Sequence, residues 1–171
     1  MGNHELDDAL REQLPGLRRY ALWLTRESAS ADDLVQMSLE KALSRWHSRR
    51  DEASLRPWLF SIIYRTFLDS RRSARRYARM LEFFGAHEPE QRSPEYTVAA
   101  ETALKAFDRL PDEQRHLLYW VSVEGLSYKE VAAILNVPMG TVMSRLSRAR
   151  QALRQLSEGK PPASPALRLL K

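Results

Sequence analysis

SYKEVAAILNVPMGTVMSRLSRARQAL, residues 127–153, holds two helices with a tight turn between them. Ser127 is placed to cap the first helix, and Glu130 three positions on completes a capping box, while Gly125-Leu126 closes the helix before it. Helical spacing then runs from Tyr128 to Leu135, with Val131, Ala132 and Leu135 inward. Asn136-Val137-Pro138 turns the chain, and a second helix opens near Met139-Gly140-Thr141 with Val142, Leu146, Ala149 and Leu153 on one side. The small Ala132 sits where the two helices must approach closely. These are the parts of a helix-turn-helix, whose second helix enters the major groove.

The residues left outward have the chemistry for that groove. Thr141, Met143, Ser144, Ser147, Arg148 and Gln151 face away from the core, with Arg145, Arg150 and Arg154 on the flanks where phosphates would lie. Arg148 is the candidate for a bidentate guanine contact. A helical hairpin with a solvated basic face is the alternative. Cap, turn, small residue and outward polar groups in the expected order argue against it.

Outward from this stretch the chain keeps a helical period, and no segment combines strand alternation with hairpin punctuation. The segment FFGAHEPEQRSPE, residues 83–95, has a glycine, two prolines and alternating charge without a sustained apolar face, as a linker does. The expected fold is all-α: two small helical domains joined by a flexible linker, the second containing the helix-turn-helix. The expected divisions are 1–80, a linker over 81–96, 97–157, and a Pro-rich, disordered tail over 158–171, where Pro161, Pro162 and Pro165 stop any helix.

Two helices of the first half carry unusual faces. One is expected from Asp32, as N-cap, to Trp46, with Val35, Leu39, Ala42 and Trp46 inward. Its opposite side holds Asp33, Gln36, Met37, Glu40 and Ser44, where Met37 is an apolar, adaptable group suited to a partner contact. An ordinary solvated face with one stray methionine is the other reading. The next helix is expected from Pro57 to Met80, with Leu59, Ile63, Phe67 and Ala74 inward.

On its other face Arg65, Asp69, Arg72 and Arg76 recur at spacings of four, three and four, with Arg79 flanking and Trp58 at the start. A guanidinium row tracks phosphates, and an aromatic beside it stacks on an unpaired base for about 1–3 kcal/mol. The alternative is a solvated arginine face with Trp58 tucked into the core. Arg71 and Arg75, which spread the charge around the helix, favour nucleic acid.

Composition agrees. Lys plus Arg number 27 against 22 Asp plus Glu, a net charge of +5 that suits a polyanionic partner. With no cysteine, disulfides and thiolate metal sites are excluded, and His4, His47, His87 and His116 form no local metal motif, so neither metal nor cofactor is expected. No apolar run approaches the roughly 20 residues that span a bilayer, and the N-terminus lacks a signal pattern, so a cytoplasmic chain without membrane insertion is expected.

An enzyme acting on nucleic acid would need clustered carboxylates, a Gly-rich phosphate loop or a nucleophile beside a base, and none is evident. Asp32 and Asp33 diverge by about 100° on a helix and make a poor metal pair. A membrane-surface helix at Arg65 to Arg79 conflicts with the core stripe on its reverse.

These segments together resemble the extracytoplasmic-function group of RNA polymerase sigma factors from about Leu14 to Leu156. LPGLRRYALWLT with SADDLVQMSLEKAL resembles the family's first conserved domain, and RPWLFSIIYRTFLDSRR its promoter-melting helix. LPDEQRHLLYWVSVEGLSYKEVAAILNVPMGTVMSRLSRARQAL resembles its second domain, and GTV-x-SRL-x-RAR is the most specific part.

The resemblance implies a protein, not an enzyme, that binds core RNA polymerase and promoter DNA, works as one copy, and is held inactive by an anti-sigma factor. Asp33, Gln36, Met37 and Glu40 would dock on the polymerase, and the helix bearing Trp58, Arg65, Arg72, Arg76 and Arg79 would hold the minus-ten element. The loop from His47 to Arg56 would capture a flipped base. The helix from Met139 would read the minus-thirty-five element, with Met143, Ser144, Ser147 and Arg148 at contact positions. Arg65 stands where the family commonly has Asn, and Met143 where a basic residue is frequent, so no promoter sequence is carried over. An ordinary helix-turn-helix regulator, dimeric and independent of core polymerase, is the main competitor; the DDLVQ and WLFSIIY segments argue against it.

Overall fold

A computed structural model describes residues 3–46, 54–83 and 105–159, with side chains of the first helix from Asp7 and those of the third to Met80. The helices include α1 (Asn3–Thr25), α2 (Ser28–Ser44), α3 (Leu55–Phe83), α4 (Asp112–Ser122), α5 (Tyr128–Leu135) and α6 (Met139–Ser157); residues 105–108 are also helical, and no strand occurs among the described residues. The chain divides into two compact units, Met1–Ser93 and Pro94–Lys171. The expected loop residues 47–53, most of the linker and the tail beyond Gly159 lie outside the described residues.

In the first unit α1, α2 and α3 pack on one another. Leu17, Tyr20 and Ala21 of α1 face Ala31, Leu34, Val35 and Ala42 of α2 and Leu59, Phe60, Ile62 and Ile63 of α3, all buried. Tyr20 lies 5.4 Å from Phe60, ring to ring, at the centre of this core. α1 runs through Pro15, which removes one ladder hydrogen bond and crowds the preceding turn.

α2 starts earlier than its sequence suggests. Its cap is Glu27, not Asp32: the Glu27 carboxylate accepts from the Ala29 and Ser30 amides at 3.0 and 2.7 Å. The Ser30 hydroxyl first, then these amides, holds the Glu27 carboxyl below its ordinary range, as befits an anion at a helix N-terminus. Asp32 instead accepts from Arg18 Nε of α1 at 2.7 Å, and that hydrogen bond keeps its carboxyl ionised to lower pH than usual. Leu34 and the small Ala31 and Ser38 thereby join the buried stripe, while Leu39 and Trp46 are only half-buried.

α3 also differs from expectation. Leu59 and Ile63 are buried and Phe67 half-buried as expected, but Ala74 is exposed, because the helix outlasts the core it packs against. Its last residues, 81–83, fall where a linker is expected.

The second unit is built around α6, against which α4 and α5 both pack. Trp120 is its largest fully buried side chain, among Leu117, Val131, Ile134, Val142, Leu146 and Ala149. Gly125, at φ +63°, makes the turn into α5 in a conformation glycine adopts without strain. Ser127 Oγ then accepts from the Glu130 amide at 3.2 Å while the Glu130 carboxylate accepts from the Ser127 amide at 2.8 Å, completing the expected capping box.

Asn136 closes α5 in the left-handed region (φ 54°), a conformation asparagine tolerates, and its amide bonds to the Ala132 carbonyl. Ser127→Ala is expected to destabilise this unit by about 1 kcal/mol, a fall of about 4–8 °C in Tm for a domain this small. Thermal denaturation followed by circular dichroism would read the shift, and an unchanged Tm would show that the cap contributes nothing.

Candidate nucleic-acid interface

α6 presents one buried and one open side. Val142, Leu146, Ala149 and Leu156 are buried, and Leu153 half-buried, so the rotation of the helix about its axis is fixed by its own core. Met143, Ser144, Ser147, Arg148 and Gln151 are consequently exposed together, while Thr141 is half-buried. Arg148 Nε donates to the Ser144 carbonyl at 3.4 Å, folding the guanidinium back along its own helix. Ser144 Oγ donates to the Thr141 carbonyl at 3.0 Å.

Arg145, expected as a flanking phosphate group, is half-buried and ion-paired with Glu113 of α4. The pair ties the start of α4 to α6. Its partner lies 32 positions away, so local periodicity could not show it. On the other flank Tyr128, Met143, Ser147, Arg150, Gln151 and Arg154 line an open groove of about 540 Å³. Tyr128 was not expected there, since its spacing aligns it with the inward Val131 and Leu135; at the first position of α5 it is only half-buried.

In the first unit Arg65, Arg72, Arg76 and Arg79 are all exposed along α3. Asp69 approaches Arg72 at 4.0 Å, a loose surface pair that leaves the row strongly cationic. Trp58 departs from its expected place on this row: it is half-buried, and its ring meets Trp46 edge-on at 5.9 Å and 72°. Packing of one indole on the other, rather than on solvent, explains the difference, because two large apolar rings at neighbouring helix ends bury each other. Arg71, expected to spread the charge around the helix, is half-buried, its guanidinium lying 5.7 Å from the centre of the Phe67 ring.

On α2, Asp33, Gln36, Met37 and Glu40 form an open face, with Gln36 Nε2 donating to Glu40 at 3.1 Å and Met37 42% exposed. Leu43, three residues beyond Glu40 and in line with Gln36, was missed in the sequence and is also exposed. Among the described residues no group of three or more His, Cys, Asp or Glu side chains could hold a metal ion, and no helix is long and apolar enough to cross a membrane.

Two family models match the chain in this order: the Sigma2 domain of PhyR over residues 10–64 and Sigma-70, region 4, over residues 100–153. The ECF RNA polymerase sigma factor EcfG of Rhodopseudomonas palustris is 35% identical over 163 residues, covering 88% of this chain and 86% of that protein. The chain belongs to the ECF RNA polymerase sigma factors. The family member SigM of Bacillus subtilis is 28% identical over 88% of this chain and 94% of its own length. Among solved structures, the sigma factor RpoE of Bartonella quintana, in complex with the anti-sigma factor NepR, matches with a TM-score of 0.71 and 29% identity, covering 90% of this chain and 97% of that one. In sigma-factor terms α1 to α3 fall in or extend from the Sigma2 match, and α4 to α6 fall in or extend from the region 4 match, with α5 and α6 as the two helices of the helix-turn-helix.

Proposed function

We propose that this ECF sigma factor binds core RNA polymerase through α2, opens and holds a minus-ten element along α3, and reads a minus-thirty-five element with α6. The observation that carries the reading is the recognition helix. Its buried stripe fixes the helix so that Ser144, Ser147, Arg148 and Gln151 stand open together, in a chain of this family. Residues 1–80 would hold the polymerase and minus-ten functions, 97–157 the minus-thirty-five function, and 81–96 the connection; 158–171 receive no role.

Thr141, Met143, Ser144, Arg145, Ser147, Arg148 and Gln151 are assigned to the upstream element. Use of Arg145 there requires exchange of Glu113 for a phosphate. Trp58, Arg65, Arg72, Arg76 and Arg79 are assigned to the downstream element, Trp58 as a ring already fixed by Trp46. Asp33, Gln36, Met37 and Glu40 are assigned to the polymerase. The chain supplies specificity and the polymerase supplies the chemistry, so it is not itself an enzyme. It works in the cytoplasm as a single copy, and an anti-sigma factor, such as the one bound in the RpoE structure, would hold it inactive.

Transcription from genomic DNA by purified core polymerase, with and without this chain, tests the reading. New starts that share two upstream elements are expected. No new start, together with failure to co-elute with core polymerase, would return the chain to the class of ordinary DNA-binding regulators. Within such an assay Arg148→Ala should lower use of a promoter bearing the upstream element by roughly five- to a hundred-and-fiftyfold, the 1–3 kcal/mol of one bidentate base contact. Equal loss on a promoter with that element scrambled would show that Arg148 does not read it.

A further inference from the structure

We propose that Met143 reads the 5-methyl group of a thymine in the upstream promoter element, which makes this sigma factor select a T·A pair at that position. The inference rests on the assignment of α6 to the upstream element and adds the chemistry of what one residue there recognises. On the open side of α6 nearly every group is polar or cationic, yet Met143 is 50% exposed and Met139, one turn earlier, 51% exposed. Both lie in the first turns of the helix, the part of a recognition helix that reaches base edges.

Met143 also lines the groove that it shares with Arg150 and Arg154, seven and eleven residues further along the same line of the helix. Those two guanidinium groups suit the phosphates of one strand, which sets Met143 beside the bases of that strand. A thioether side chain neither donates to a base edge nor pairs with a phosphate. The apolar group that an unmodified base pair presents in the major groove is the C5-methyl of thymine, and apolar side chains read it by contact. Methionine suits the task, having an unbranched, polarizable chain that adapts to a methyl group at variable height. Ser144 and Ser147, further along the same open side, hydrogen-bond to any of several bases, so the apolar contact carries information they do not.

Replacement of thymine by uracil removes that methyl and leaves the pairing unchanged. Each thymine of the upstream element is replaced in turn, and transcription and holoenzyme binding are measured with the full chain and core polymerase. One uracil position is expected to weaken binding by about three- to fivefold, the transfer free energy of roughly one buried methyl group. In Met143→Ala that position should bind thymine and uracil alike, and in Met143→Leu the preference for thymine should return.

An element without thymine, no uracil-sensitive position, or a sensitivity that persists unchanged in Met143→Ala each overturns the inference while leaving the sigma assignment in place. Absence of new starts with the unmodified chain overturns both. Because Met143 is exposed, neither variant should alter the thermal melting of the protein; a lowered Tm would mean that Met143 supports the fold, and would overturn the contact as well.

Discussion

Trp120→Ala is expected to unfold the second unit and leave the first intact. The indole is fully buried at the end of α4, and its backbone carbonyl accepts from the Leu126 amide at 2.9 Å, so it anchors both the core and the turn that leads into the helix-turn-helix. His116 packs 5.6 Å from it on the same helix. Removing a buried tryptophan destabilises by about 3–5 kcal/mol, and a single core of fewer than about 80 residues rarely supplies more than that.

The variant should therefore lose part of its helical circular dichroism at 25 °C while a transition from the first unit remains. Trp23, Trp46 and Trp58 all lie in that first unit and report on it by fluorescence. In transcription the variant should still bind core polymerase and lose dependence on the upstream element. Trp120→Phe, which keeps most of the ring volume, should recover much of both. An unaltered melting profile in Trp120→Ala would show that this unit does not depend on its largest buried side chain.

The helix-turn-helix was legible in the sequence because its determinants are local. Capping Ser127 and Glu130 are three residues apart, the turn is marked by Asn136 and Pro138, and the stripe Val142, Leu146, Ala149 follows one helical period. What escaped was set by contacts between distant residues. Asp32 is a good cap by type, but Arg18 of α1 holds its carboxylate, and Glu27 caps the helix with a longer side chain that reaches back over the first turn.

Arg145 carries an ion pair to Glu113, 32 positions away, that no local period could show. Trp46 lies two residues past the end of α2 and Trp58 at the start of α3, and only the packing of α2 on α3 shows that they face each other. Ala74 fits the inward period of α3, yet periodicity cannot tell where the neighbouring helices end. The open faces of α2 and α6 survive because each is the reverse of a buried stripe, and burial on one side fixes exposure on the other.

That same logic makes the arginine row of α3 a test of charge with little change in fold. Arg72, Arg76 and Arg79 are exposed, glutamine has nearly the same helix propensity as arginine, and the loose Arg72–Asp69 pair contributes at most about 1 kcal/mol. Replacing all three by glutamine should leave Tm and core binding nearly unchanged. If each arginine neutralises one phosphate of an opened strand, the plot of log affinity against log salt should flatten by about 2, at about 0.7 per contact.

Each lost contact then gives up roughly fivefold in affinity at 0.1 M salt, so the triple variant should form open complexes about a hundredfold more weakly. The deficit should shrink as salt is raised, because the unmodified protein loses those contacts too. Potassium-permanganate footprinting of the melted region across a salt series reads both quantities. A weaker complex with an unchanged slope would mean that the row holds something other than phosphates, whereas the expected flattening ties the exposed guanidinium groups of α3 directly to the backbone of the opened strand.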